Sequence, residues 1–415
     1  MIKPLIGSFQ LMKSLNRTLV LTTIRNLGPI SRADIAKKTM LTPPTVTNIV
    51  SELLEQKFII ESEVGASSGG RKPILLKLNS RSFAIVGVDV GITSIKSVLT
   101  DLDAGLIREL RCPLPPRPDA DTFLELLSRS VAELIASAAA EQTVLGIGVG
   151  MHGLVNPEEG VSIFAPNLNL RLVPIRAVLE SEFGLPVYVE NDVVAMALGE
   201  LWFGGGQLTD HFICVNIGVG VGAGIVLNRQ IFRGSSYSAG ELGHTTVDLN
   251  GPRCSCGNYG CLQALVSGPA IAESVQNEIA LGRKSALLPP VPSDLASITG
   301  EHVYEAALQG DVLALEAFGK AGRLLGISLT NMIHTLNPQK IILGGGVAQA
   351  GDLLTGPLNE TVRSRALESS VTSLVIETSQ LGDRATAIGA VTAVLSRIFE
   401  LPQLQGEAAV SHSEP

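Results

Sequence analysis

The sequence predicts an α/β chain with two units: an N-terminal winged helix-turn-helix, then a larger domain of two lobes. Three observations carry this. Residues 1–82 hold 12 Lys or Arg against 5 Asp or Glu, whereas the rest of the 415-residue chain holds 19 against 34, so a small basic unit precedes a large acidic one. Within the basic unit the expected order is helix, helix, helix, strand, cationic tip, strand. In the acidic unit a pair of glycine-punctuated strand–turn–strand segments, at 84–107 and 216–232, reads as two related lobes closing on a cleft.

In the basic unit, Leu15, Leu19, Ile24 and Leu27 fall on one face of a helix over 15–27, which Gly28-Pro29 ends. Ser31 is placed to N-cap a short helix with Ile35 and Ala36 inward, and a turn follows at Met40 and Leu41. Thr42 then caps a second helix with Pro43 and Pro44 in its first turn. There Val46, Ile49, Val50, Leu53 and Leu54 form the apolar stripe, which turns Thr45, Thr47, Asn48 and Ser51 to solvent. These are short polar side chains able to meet base edges and phosphates. Phe58–Ile60 and Ile74–Leu78 read as the strands of a wing whose tip carries Arg71 and Lys72 for a phosphate backbone or a narrow minor groove. Taken singly, each feature also fits an ordinary surface helix or solvated loop. Their order points to double-stranded DNA as the partner.

The acidic domain opens with a strand, a turn at Asp89-Val90-Gly91 followed by Thr93, a second strand and a hairpin at 103–105. Such a turn presents backbone N–H groups beside a carboxylate, as a phosphate and Mg²⁺ site requires, although Asp-x-Gly alone is weak evidence. The second glycine-rich turn, with Gly218 and Gly220, repeats the arrangement. A third, KIILGGGVA at 340–348, fits either a nucleotide cradle or a plain strand-to-helix connection.

Between Gly240 and Cys261 one short run contains Glu241, His244, Cys254, Cys256 and Cys261. Three thiolates and an imidazole complete a tetrahedral Zn²⁺ shell and leave no open position, so the ion would be structural. Free or disulfide-bonded cysteines are the alternative, but Cys254 and Cys256 are too close to pair easily. The N-terminus has no secretory signal pattern and no apolar run approaches the roughly 18 residues of a membrane span, so a cytoplasmic protein without membrane contact is expected.

These motifs resemble the ROK family, which joins sugar kinases of the actin-like (RNase H-like, hexokinase-type) fold to winged-helix repressors. The resemblance rests on DVGIT at 89–93, ENDVVAMALGE at 190–200, the turn at 216–224, GELGH at 240–244, CSCGNYGC at 254–261 and LGGGV at 343–347. The N-terminal domain makes the chain most like the family's xylose-repressor group. The resemblance implies a sugar effector between the lobes, with Asn191, Asp192, Glu241, His244, Gln263 and Asn167 at the pocket. It makes Asp192 the counterpart of the kinases' proton-accepting base. A plain helix-capping role for Asn191-Asp192 is the bland alternative.

Three departures from the kinase pattern argue against ATP and Mg²⁺: Ile92 stands where a second glycine is usual, Val219 replaces a hydroxyl residue, and Gln263 replaces Glu. The reading is therefore a sugar-responsive transcriptional repressor of carbohydrate uptake or catabolism, acting as a homodimer on an inverted-repeat operator, with xylose the first sugar to test. An ATP-dependent sugar kinase with an added DNA-binding domain is the alternative, and Asp192 is then catalytic instead of vestigial. Control by a protein partner with no sugar is a third. The expected units are 1–82, the lobes 83–205 and 206–402, and a disordered tail 403–415. Helices are expected over 121–140, 311–336 and 384–399, the last returning to the first lobe and containing a tolerated glycine, with a loop over 287–300.

Overall fold

The computed structural model describes residues 9–64, 73–287 and 292–399. Arg71 and Lys72 at the expected wing tip, and the tail from 403, lie outside the described residues.

The N-terminal unit is α1 (Phe9–Leu27), β1 (Ile30–Ser31), α2 (Arg32–Thr39), α3 (Pro43–Glu55), β2 (Ile59–Val64) and β3 (Ile74–Leu78), with the strands paired in the order β1-β3-β2. Local chemistry sets these bounds. The Ser31 hydroxyl accepts the Asp34 N–H at 3.1 Å and the Thr42 hydroxyl accepts that of Thr45 at 3.4 Å, while Met40 at φ 57° closes α2 in the left-handed region. Of the predicted stripe, Val46, Ile49, Val50 and Leu53 are buried and Leu54 is half-buried; Ile35, Ile59 and Leu76 are buried with them. α1 starts earlier than the expected Leu15.

The next unit runs β4 (Phe83–Val90), β5 (Ser94–Thr100), β6 (Leu106–Pro113), α4 (Ala120–Ala136), β7 (Thr143–Met151), the small meander β8 (Leu154–Asn156), β9 (Val161–Ala165) and β10 (Leu170–Val173), α5 (Ile175–Phe183), β11 (Val187–Asn191) and α6 (Asp192–Phe203). After it come β12 (Phe212–Ile217), β13 (Val221–Leu227), β14 (Gln230–Phe232), α7 (Gln263–Val266), α8 (Gly268–Ala280), α9 (Gly300–Leu308), α10 (Val312–Leu336), β15 (Lys340–Gly344), α11 (Asp352–Arg365), α12 (Glu368–Val371), β16 (Val375–Thr378) and α13 (Ala385–Phe399). The predicted helix over 121–140 stops at Ala136, where Ser137 closes the last turn onto Leu134. A 3₁₀ turn at Pro292–Ser297 occupies the middle of the expected 287–300 loop.

Duplication is visible in the sheets. One has the order β6-β5-β4-β7-β11 and the other β14-β13-β12-β15-β16; in each, an antiparallel three-strand meander is extended by two parallel strands. α6 and α13 cross each other between the sheets: α13 covers β4 and β7, while α6 packs Met196, Ala197 and Leu201 with Phe212, Cys214 and Val226 of the second sheet.

The glycine in α13 is required there, which corrects its reading as merely tolerated. A Cβ at Gly389 would lie 1.6 Å from the carbonyl oxygen of Ala195 in α6, so the two backbones touch. The winged helix is not a bead on a linker either. Val20, Leu21 and Ile24 of α1 share one buried cluster with Ile388, Val391, Leu395 and Phe399 of α13.

Candidate functional site

Parallel strands β7 and β11 end side by side, Met151 opposite Asn191, and Asp89 near the end of β4 is opposite Gly150. Parallel sheets of this kind bind ligands in a crevice at the carboxyl ends of their strands, which is where these residues lie. Asn191 N-caps α6: its Oδ1 accepts the N–H groups of Val193 at 2.9 Å and Val194 at 3.2 Å, and its Nδ2 donates to the Gly153 carbonyl at 2.9 Å. The capping role is thus real and occupies the Asn191 amide. Asp192 follows as the first helical residue. Desolvation raises its pKa to about 6, the N–H groups of Val193 and its own backbone oppose that, and the Glu241 charge adds to it.

Glu241, on the loop after β14, lies close enough for its charge to act on Asp192. Gly240, at φ 91°, accepts the Ala223 N–H of β13 at 2.8 Å, and a Cβ there would sit 1.8 Å from the Ala223 carbonyl, so only glycine lets the loop lie this close. Glu241 stays exposed, 3.8 Å from His244 Nε2. Asn167 lies nearby but is engaged by a residue that motif reasoning missed: its Nδ2 is 3.0 Å from Nε2 of His152, the residue after β7. A lone His in MHG carries no spacing signal that could have found it.

His244, Cys254, Cys256 and Cys261 converge, with all four ligand atoms within 4.8 Å of one another. Sγ of Cys256 and Cys261 are 3.7 Å apart, as are Cys254 Sγ and His244 Nδ1. Zn–S bonds of about 2.3 Å give a tetrahedral edge of about 3.8 Å, so this donor set fits a metal of that size. Burial raises the Cys254 thiol, but hydrogen bonds from the Cys256 backbone and thiol, His244 and Cys261 outweigh it and bring the pKa to about 6. Gln263 is engaged by this cluster: its Nε2 is 3.4 Å from Cys254 Sγ.

In each of the two phosphate-type turns one glycine amide is already bonded. The Gly91 N–H donates to Ser94 at 3.1 Å and the Gly218 N–H donates to Gly220 at 2.9 Å. Ile92 is half-buried in the first turn, Thr93 is exposed, and Val219 is half-exposed in the second. Asp89 is raised to about 7, chiefly by desolvation and then by the Asp192 charge, with Lys96 opposing. Lys96 itself lies 3.3 Å from Asp383.

On the nucleic-acid face, Thr47, Asn48 and Ser51 are exposed on α3 and Thr45 is half-buried against Thr42, the hydroxyls 2.8 Å apart. Thr47 and Ser51 donate back to Pro43 and Thr47 carbonyls at 2.9 Å each. Asn48 makes no such bond among the described residues. A groove of about 420 Å³ between α2 and α3 adds Arg32 and Lys37, cations the sequence reading did not single out.

A basic reading head carried on a duplicated two-lobed body with a crevice and a cysteine-rich metal cluster defines the class: a DNA-binding protein built on an actin-like frame. A ROK family model matches residues 85–397, and a MarR family model matches residues 13–62. The chain belongs to the ROK family. The xylose repressor of Caldicellulosiruptor bescii is 33% identical over 96% of this chain and 99% of its own, and the N-acetylglucosamine repressor of Escherichia coli O6:H1 is 34% identical over 94% of each. The crystal structure of a ROK family transcriptional regulator, a homologue of the E. coli MLC protein, superposes with a TM-score of 0.82 at 32% identity, covering 94% of this chain and 98% of that one. A ROK family glucokinase from Streptomyces griseus, solved with glucose and AMPPNP, gives 0.64 at 30% identity but covers only 74% of this chain, and 98% of its own. Among the described residues no helix is long and apolar enough to cross a membrane.

Proposed function

We propose that this chain is a sugar-responsive repressor of carbohydrate uptake or catabolic genes, which binds an inverted-repeat operator as a homodimer and takes its effector in the crevice formed by Asp192, Glu241 and their neighbours. The observation that carries the reading is α6: its first residue, Asp192, stands in the crevice, and its last residues, Trp202 and Phe203, lie under Arg25 of the winged helix. One rigid rod therefore joins effector site to reading head. A sugar that prefers one closure of the lobes shifts the population of head orientations, and hence the spacing of the two heads in a dimer. The relatives' names support a sugar effector; the bonded amides at Gly91 and Gly218, with Ile92 and Val219, support loss of the ATP site.

In the same reading the ion is Zn²⁺, held by His244 Nδ1 and the thiolates of Cys254, Cys256 and Cys261; bound there, it supplies a fixed tetrahedral brace. The brace leaves His244 Nε2 toward Glu241, so the GELGH loop has one position from which to meet a polyol. Cys256→Ser is expected to lower zinc content, melting temperature and sugar response together; zinc loss with an undiminished sugar response disproves the link between metal and crevice.

Fluorescence anisotropy of the full chain on operator-length DNA from upstream of carbohydrate genes, at physiological salt, tests the whole reading. Sequence-specific binding that D-xylose or N-acetyl-D-glucosamine alters is the expected result, with the same sugar raising the melting temperature. Absence of specific binding, or indifference to every sugar, sinks it. ADP release that depends on sugar and vanishes in Asp192→Asn establishes the kinase instead.

A further inference from the structure

His152 has one ring nitrogen engaged and the other open. Met151 and Asn191 are partners at the ends of parallel neighbours β7 and β11, so the next residues, His152 and Asp192, leave the sheet side by side. The backbone just after the imidazole is pinned by the Asn191 amide at the Gly153 carbonyl. Glu241, from the opposite sheet, is close enough to act electrostatically on both His152 and Asp192. His152, Asp192 and Glu241 are thus brought to one place.

The tautomer follows from the partner. Asn167 presents its Nδ2 to His152 Nε2 at 3.0 Å; an amide NH₂ only donates, so Nε2 accepts and the ring proton sits on Nδ1. Burial holds the imidazole below its usual pKa against the pull of Glu241, so the ring is neutral. No protein group among the described residues takes the Nδ1 proton. The carboxylates of Asp192 and Glu241 are acceptors when ionised, and Asn191 is committed to its cap. A hydroxyl that donates to a carboxylate loses water from its lone pairs on entering the crevice, and a buried lone pair left without a donor is costly.

We propose that His152 is a specificity-determining residue of the effector crevice: its Nδ1–H donates to the sugar hydroxyl whose own proton is taken by Asp192. The effector class this selects is a polyhydroxylated sugar carrying a free hydroxyl at that point, against analogues that lack it. The inference rests on the effector reading given above. Because the lost hydroxyl leaves a buried donor unpaired, the deoxy analogue should bind about tenfold to a hundredfold more weakly.

Calorimetry on the full-length protein decides it, with D-xylose, N-acetyl-D-glucosamine and the monodeoxy analogues of whichever sugar binds. In the wild type one deoxy analogue should carry the large penalty; in His152→Ala the parent sugar weakens and the penalty of that analogue shrinks to the part that Asp192 imposes, while the other analogues keep their wild-type ranking. His152→Asn, which retains a donor, should keep part of the discrimination, and it decides the matter if the alanine variant does not fold. An undiminished penalty in both variants overturns the inference alone. No heat from any sugar with the wild type overturns the effector reading and the inference with it.

Discussion

Asn48 stands apart on the recognition face because the hydroxyls of Thr47 and Ser51 are tied back to their own helix, whereas its amide is exposed and unbonded among the described residues. An amide suits the paired acceptor and donor of adenine, so Asn48→Ala should cost specific binding about 1–3 kcal/mol with the salt dependence unchanged. Lys37→Ala, which removes a cation lining the groove beside α3, should instead weaken all sequences alike and reduce the salt slope by about 1, the signature of a phosphate contact. Anisotropy titrations at several salt concentrations separate the two, and a shared signature for both variants removes Asn48 from base reading. Asp89 supplies a different test. Its carboxyl ionises at 3.8 ordinarily and at about 7 in the fold, so between those values the folded chain binds the extra proton. Stability from this group is full below about 4 and is lost as pH rises through 7. Asp89→Asn should therefore raise the melting temperature at pH 8 and change it little at pH 4; an equal effect at both removes the buried-carboxyl account. The caps at Ser31 and Thr42 were legible in the sequence because a capping bond spans three residues. His152 was not, since its meaning comes from Asn167 and Asp192, which only the fold brings beside it, and the same applies to the turn of Gln263 toward Cys254.

Helices and strands were legible where periodicity is local. The stripe of α3, the two glycine-punctuated meanders and the long α10 all follow from it, and Val46, Ile49, Val50 and Leu53 of the stripe are buried while Leu54 is half-buried. What periodicity does not encode is the partner. α13 reads as an apolar helix with an incidental glycine, yet Gly389 lies against the Ala195 carbonyl, and a Cβ on Gly199 of α6 would lie 2.8 Å from the Ala385 carbonyl. The crossing is thus sealed by glycines on both helices, and neither helix can roll without the other. In an isolated helix Gly→Ala gains up to about 1 kcal/mol. Here the sign should reverse: Gly389→Ala forces two backbones apart and should cost about 3 kcal/mol or more in urea unfolding. Gly319→Ala in α10 is the control, since its Cβ would meet only the flexible end of Arg323 at 3.3 Å, and it should be neutral or stabilising. A stabilised Gly389→Ala protein contradicts the crossing.

Across the whole molecule the question is how a crevice reaches a reading head. The lobes are tied at the crevice by Arg233, which follows β14 and lies 2.6 Å from the buried Glu190 of β11, one residue before Asn191. From there α6 carries the crevice wall to Trp202, over which the Arg25 guanidinium lies 3.9 Å from the ring centroid, with Phe399 of α13 at 4.9 Å and Phe203 at 5.7 Å. The Thr22 hydroxyl donates to the Phe399 carbonyl beside it. A cation among three rings, partly desolvated, is worth about 1–2 kcal/mol, the scale of a typical coupling energy between two sites, about 1–3 kcal/mol. Arg25→Met keeps the apolar stem and removes the charge. It should leave the protein folded and its sugar affinity in the absence of DNA intact, while the ratio of operator Kd with sugar to that without moves toward one. Reciprocity requires that the operator's effect on sugar affinity shrink by the same factor, so calorimetry of sugar on the protein–DNA complex checks the same quantity from the other side. If both ratios stay at their wild-type values, the joint between α1 and α6 only packs the domains together and the signal travels elsewhere, through the shared core of α1 and α13.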